Sequence, residues 1–143
     1  MMEAGRELDG LVAEKVMGYA VKRVTRKIGN TGNLKTGETH DVYDTDWYLL
    51  ETNGETMMVH GPLMHGYGPA RVAHYSTDIA AAWQVAEAMR IAIVPEMVFH
   101  QKPSIDGFSA RVCSQNHPEG RAWAKTAPLA ICLAALKAVG VEV

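Results

Sequence analysis

The amino-acid sequence predicts an α+β fold, an α-β-α sandwich in which three helices pack on a largely antiparallel sheet of about five strands. Three observations carry this. Two polar helix starts open straight into apolar stretches, at Tyr75-Ser76-Thr77-Asp78-Ile79-Ala80-Ala81-Ala82-Trp83 and at Lys125-Thr126-Ala127-Pro128-Leu129-Ala130-Ile131-Cys132. Asn53-Gly54 stands between two strand-like runs, the strongest short-range hairpin signal. The remaining strand-like runs are also joined by turn residues, so neighbouring strands reverse direction.

The elements follow in order. Residues 3–17 form a helix, with Leu8, Leu11, Val12 and Val16 on one side and Arg6, Glu7, Asp9, Glu14 and Lys15 solvated. Gly18 stops it. Residues 19–28 are read as a strand on the β-branched Val21, Val24 and Thr25, although a helical stripe fits the same residues. Residues 29–41 hold three glycines and little that is apolar, which predicts a long loop. Residues 46–51 and 56–60 are the strands flanking Thr52-Asn53-Gly54-Glu55, and a second Gly/Pro loop covers 61–74. The central helix spans 77–90, buries Ile79, Ala82, Trp83, Ala86 and Met89, and is capped by Ser76 or Thr77, with Asp78 at its positive end. Residues 96–101 and 108–113 are strands joined by Pro103-Ser104-Ile105-Asp106-Gly107, and 114–125 is a polar loop. The last helix begins at Thr126 with Pro128 in its first turn, faces Ile131, Cys132, Leu136 and Val139 inward, and ends at Gly140.

A chain of 143 residues is one domain, 1–143, long enough to bury a full core without a disulfide or a metal. It is 48% hydrophobic and 21% charged, with a net charge of −2, so neither a nucleic-acid backbone nor an acidic membrane is favoured as a partner. Cys113 and Cys132 have no paired spacing and are read as reduced thiols. The N-terminus lacks the apolar stretch of a signal peptide, and no run is long enough to span a bilayer. A soluble cytoplasmic protein is expected.

The stretch 75–83, the closing Thr126-Ala127-Pro128-Leu129-Ala130-Ile131-Cys132 with Ala134-Ala135-Leu136-Lys137, and the opening Leu11-Val12-Ala13-Glu14-Lys15-Val16-Met17-Gly18 together resemble small phage and prophage proteins of the phage ABA sandwich domain family. The resemblance implies a layered α-β-α fold, a phage or prophage origin and a setting in the host cytoplasm. It implies no particular reaction. The matching residues are caps, small helix faces and one packed aromatic, so any activity special to this chain is expected in loops 29–41 and 61–74.

The first candidate site is Gly66-Tyr67-Gly68-Pro69-Ala70-Arg71-Val72-Ala73-His74 running into the central helix. Free amides at a helix start favour an anion; Arg71 would fork onto a phosphate, Tyr67 stack on a base, and Ser76 and Thr77 add donors, with His74 beside them. Asp78 opposes this, and a plain loop capped by Ser76 explains the same residues. Trp123, beside His117, Arg121 and Lys125, is a candidate wall for the same ligand or simply packs on the sheet. His60, His65 and His74, with Asp78 or Glu55, would be the ligands of a metal, but the spacing fits no known signature; His100 and His117 lie apart. Lys22, Arg23, Arg26 and Lys27 read as a charged strand edge that Asp41, Asp44 and Asp46 can pair. No catalytic pattern and no cofactor motif is present.

The expectation is therefore a binding protein for a small, nucleotide-like anion, sequestering an immune signal of the host, or one that docks on a host protein, with a homo-oligomer as a natural route to a pocket. The alternative is a metal-assisted phosphohydrolase on His60, His65, His74 and Asp78; a structural virion role ranks behind both.

Overall fold

The structure, a computed structural model, describes residues 2–60, 67–99, 103–113 and 120–143. The fold is α+β with antiparallel strand pairing throughout, as the sequence predicts. The described residues form seven strands, more than the five expected, in pairs β1-β2 and β3-β4 and a triplet β5-β6-β7.

Helix α1 (Arg6–Leu11) continues into a π-helical turn (Val12–Val16), where the Met17 amide donates to the Val12 carbonyl at 3.0 Å. Leu8, Val12 and Ala13 enter the core. Asp9 does too, against the expectation that it is solvated: its side chain is fully buried, for a reason given below.

Strands β1 (Val21–Gly32) and β2 (Thr39–Leu49) make a long ribbon. The loop expected at 29–41 is thus mostly strand, with the turn confined to 33–38, where Gly37 adopts φ +69°. The outer ribbon is solvated on both faces, so no apolar alternation marks it in the sequence. Polar cross-strand pairs hold it instead: Lys27 Nζ lies 2.9 Å from Asp41 Oδ1, and the Thr25 and Thr45 hydroxyls are 2.8 Å apart. At its inner end Tyr48 is buried and Trp47 lies against α1.

Gly10 makes that contact possible. A Cβ at Gly10 would fall 2.4–2.8 Å from three atoms of the Trp47 ring. Gly10→Ala is therefore expected to cost about 1–3 kcal/mol through forced movement of α1 off β2. A denaturant titration checks this, and an unchanged midpoint would contradict the contact.

The Asn53-Gly54 turn is present, with Gly54 at φ +83° and the Leu50–Thr56 bridge closing it. Beyond it, β3 (Met58–His60) leaves β2 and pairs with β4 (Tyr67–Pro69). The segment after β4 is pinned rather than open, since Val72 N–H donates to the Trp47 carbonyl at 2.9 Å and Arg71 bridges Tyr48.

Helix α2 (Ile79–Met89) is capped by Asp78, whose carboxylate accepts from the Ala80 amide at 3.0 Å. Neither Ser76 nor Thr77 caps it. Its buried face is Ala81, Ala82, Val85 and Ala86, which corrects the stripe expected from its largest side chains. Ile79 and Trp83 are about half exposed, at 53% and 51%. Close packing on another helix selects the small residues, and the bulky ones turn out.

Strands β5 (Ile91–Phe99), β6 (Pro103–Val112) and β7 (Arg121–Ala124) form the main sheet. The turn expected at 103–107 is part of β6: Glu96 pairs with Gly107 and Met97 with Ile105, so Asp106 is the extra residue of a bulge. The β5–β6 connection lies outside the described residues. Strand β7 occupies the end of the segment expected to be loop. Helix α3 (Ala127–Ala138) covers one sheet face, and residues 130–136 are all fully buried. A helix apolar all round must be enclosed, here between the sheet, α2 and the π-helical turn. Val139, expected inward, is 36% exposed. Both cysteines are free, Cys132 buried in α3 and Cys113 exposed.

Candidate functional site

Two polar constellations arise from this scaffold. The first lies under the approach to α2. Asp9 Oδ1 accepts from the Ser76 amide and from the Ser76 hydroxyl, each at 2.7 Å. Arg6 bridges Asp9 Oδ2 at 3.1 Å and Asp46 Oδ1 at 2.7 Å, and its Nη2 donates to the Val72 carbonyl at 2.6 Å. The Gly5 amide donates to Ser76 Oγ at 2.9 Å. This cluster ties α1, β2 and the segment before α2 together, and every buried charge in it has an opposite partner.

That cluster decides the places of several expected site residues. Ser76 is fully buried and its hydroxyl is occupied. Arg71 is exposed, with Nη1 3.6 Å from Asp46 Oδ2, and His74 is exposed, with Nδ1 3.9 Å from Asp9 Oδ2. Thr77 is exposed beside the Asp78 cap. The backbone of Tyr67 belongs to β4, opposite His60. Carboxylates thus stand beside Arg71 and His74, and the helix start already has an anionic cap. Of the histidines named for a metal, His65 lies outside the described residues, as do His100 and His117, and Asp78 is engaged at the cap.

The second constellation is on the face of the β5-β6-β7 sheet away from α3. Alternation along the strands turns Ile91, Ile93, Ala110, Val112, Ala122 and Ala124 toward the core. The opposite face carries Ala92, Val94 and Glu96 on β5, Ser109 and Arg111 on β6, and Arg121 and Trp123 on β7. An open cleft of about 370 Å³ lies there, lined by six of these: Ala92, Val94, Glu96, Ser109, Arg111 and Arg121. Register sets Arg111 directly opposite Arg121, and Ser109 opposite Trp123. Two like charges facing each other disfavour strand pairing unless an anion or solvent screens them. Among the described residues neither arginine has a carboxylate within ion-pair distance.

Trp123, on the same face and paired with the cleft residue Ser109, is 40% exposed. Its ring leans over Gly107, where a Cβ would meet it at 2.4 Å, and Lys125 Nζ stands 5.5 Å from the ring centre. Lys125 is itself held by the bulged Asp106 at 3.2 Å. The arrangement offers two guanidinium forks, an aromatic surface and a hydroxyl, a set suited to a phosphorylated ring compound.

Residues 10–136 match the family model described as the phage ABA sandwich domain. The chain belongs to this family. The structure is also similar to the crystal structure of a phage protein from Bacillus cereus ATCC 14579, with a TM-score of 0.52 and 21% identity, covering 100% of this chain and 95% of that one. At that identity the likeness concerns the fold. No curated protein matches the chain.

In this ABA sandwich, then, the sequence points to Trp123, Arg121 and Lys125 but misses Arg111, Ser109 and Glu96. The missed residues sit on alternating positions of β5 and β6, and Arg121-Ala122-Trp123-Ala124 alternates large with small. That alternation is a legible strand signal, too short at four residues to stand out from the polar stretch before it. Burial pushes the Tyr75 hydroxyl up to about 12, with Tyr19, Cys132 and Asp9 adding to it. Burial, and then the charge of Asp9, pushes the Cys132 thiol far above its ordinary value. Among the described residues no three histidine, cysteine or acidic side chains group as metal ligands, and no helix is long and apolar enough to cross a membrane.

Proposed function

We propose that this ABA sandwich protein is phage- or prophage-encoded and acts in the host cytoplasm by binding a small nucleotide-type anion, removing it from host defence signalling. The observation that carries the reading is the pair Arg111 and Arg121, facing each other across β6 and β7 without carboxylate partners among the described residues, in an open cleft near Trp123. A phosphate between the two forks relieves their repulsion, and the Trp123 ring, which leans over Gly107, suits a base. The cleft thereby takes the role first expected of Arg71 and His74, which stand beside carboxylates.

Isothermal titration with ADP, ADP-ribose and cyclic dinucleotides tests the reading. Binding of at least one is expected, with Arg111→Ala and Arg121→Ala each weakening it about ten- to a hundredfold, the worth of a hydrogen bond to a charged group. No heat with any of them would remove the sequestering function. A second reading, docking on a host protein, is favoured by Ile79 and Trp83, one helical turn apart and both half exposed on α2. It predicts that Trp83→Ala, not the arginine variants, abolishes the biological effect.

A further inference from the structure

Among the described residues the cleft is lined by one acidic group, Glu96, and its position is informative. Glu96 lines the same cleft as Arg111 and Arg121 but stands at the far end of β5, opposite Gly107, two rows from the arginine row. It has no cation within ion-pair distance among the described residues, and its side chain is exposed. Rows on one face repeat about every 6.6–6.8 Å. The sheet face therefore runs from two cations, through Val94, Ser109 and Trp123, to a carboxylate.

Resting on the nucleotide reading above, we infer that Glu96 reads the free hydroxyls of a ribose, so that the ligand is a ribonucleoside 5′-phosphate with an unmodified cis-diol. A carboxylate accepts two hydrogen bonds from neighbouring hydroxyls and repels a phosphate in their place. The order of the face matches such a molecule. Its 5′-phosphate lies on Arg111 and Arg121, its base against Trp123 and its sugar over Ser109 and Val94, within reach of Glu96. Gly107, with no side chain, lets the Trp123 ring lie over the row that Glu96 shares. Glu96 is thus a specificity residue that separates ribose from deoxyribose and rejects a phosphate on the 2′ or 3′ oxygen.

The test compares ADP, 2′-deoxy-ADP and adenosine 3′,5′-bisphosphate by isothermal titration, on the full chain and on Glu96→Gln. For the native chain, about tenfold weaker binding of the deoxy compound is expected, since it loses one hydrogen bond to a charged acceptor. The bisphosphate should bind weakly to the native chain and recover in Glu96→Gln, a gain that a merely damaged protein would not show. Equal binding of ADP and its deoxy analogue, or no recovery of the bisphosphate, overturns the role of Glu96 and leaves the anion site intact. No binding of any of the three overturns both.

Discussion

Asp9→Ala is expected to lower the stability of the fold by about 3–5 kcal/mol, read as a large fall in the urea midpoint. The carboxylate is fully shielded from solvent and receives the Ser76 amide, the Ser76 hydroxyl and Arg6. Its removal leaves the buried Ser76 amide unpaired, leaves the Ser76 hydroxyl only the longer contact to the Gly5 carbonyl at 3.3 Å as a donor, and takes one of two carboxylates from Arg6. Asp9→Asn keeps the shape and one acceptor for Ser76, so it should lose less. Asp46 still holds Arg6 at 2.7 Å in either variant, which bounds the damage. Because the pair is buried, added salt should change the difference little. In a double-mutant cycle, Arg6→Ala should cost much less in the Asp9→Ala background than in the native chain. A loss under about 1 kcal/mol for Asp9→Ala would mean the cluster is dispensable.

The second large effect is expected at Leu133. Leu133→Ala should cost about 2–5 kcal/mol in the same titration. The side chain sits in the middle of a helix whose residues 130–136 are all fully buried. The helix packs against the sheet, α2 and the π-helical turn, so the surroundings have little room to relax into the space left behind. Val139→Ala, at the residue that ends the helix, is the control: at 36% exposure it should cost well under half as much. Equal losses at the two positions would contradict the enclosed position of α3.

The asymmetry between these positions shows how much was readable beforehand. The proline in its first turn and the apolar content of α3 made its place in the core plain from Thr126 onward. The place of Asp9 was not legible. On a helical wheel it falls with Arg6 and Glu7 among solvated residues, and only the arrival of Ser76, 67 residues later, gives it a reason to be buried. Trp83 was misjudged for the converse reason. Its spacing fits an apolar stripe, but α2 meets its neighbours through Ala81, Ala82, Val85 and Ala86, and the tryptophan is turned outward.

The candidate site was half legible. Trp123 with Arg121 and Lys125 stood out as an aromatic among cations, whereas Arg111 looked like an ordinary strand residue. Nothing local shows that two arginines ten positions apart will face each other; the β6–β7 register does.

By itself the sequence determined the α+β class, the antiparallel pairing, the starts of α2 and α3 to within two residues, and the family. Each of these follows from interactions within a few residues: capping, turn chemistry and the spacing of apolar side chains. Tertiary structure alone decided which polar groups are buried together, which bulky side chains are turned out, and which charges face across strands. Those outcomes depend on partners distant in the chain, where burial and register override local preference.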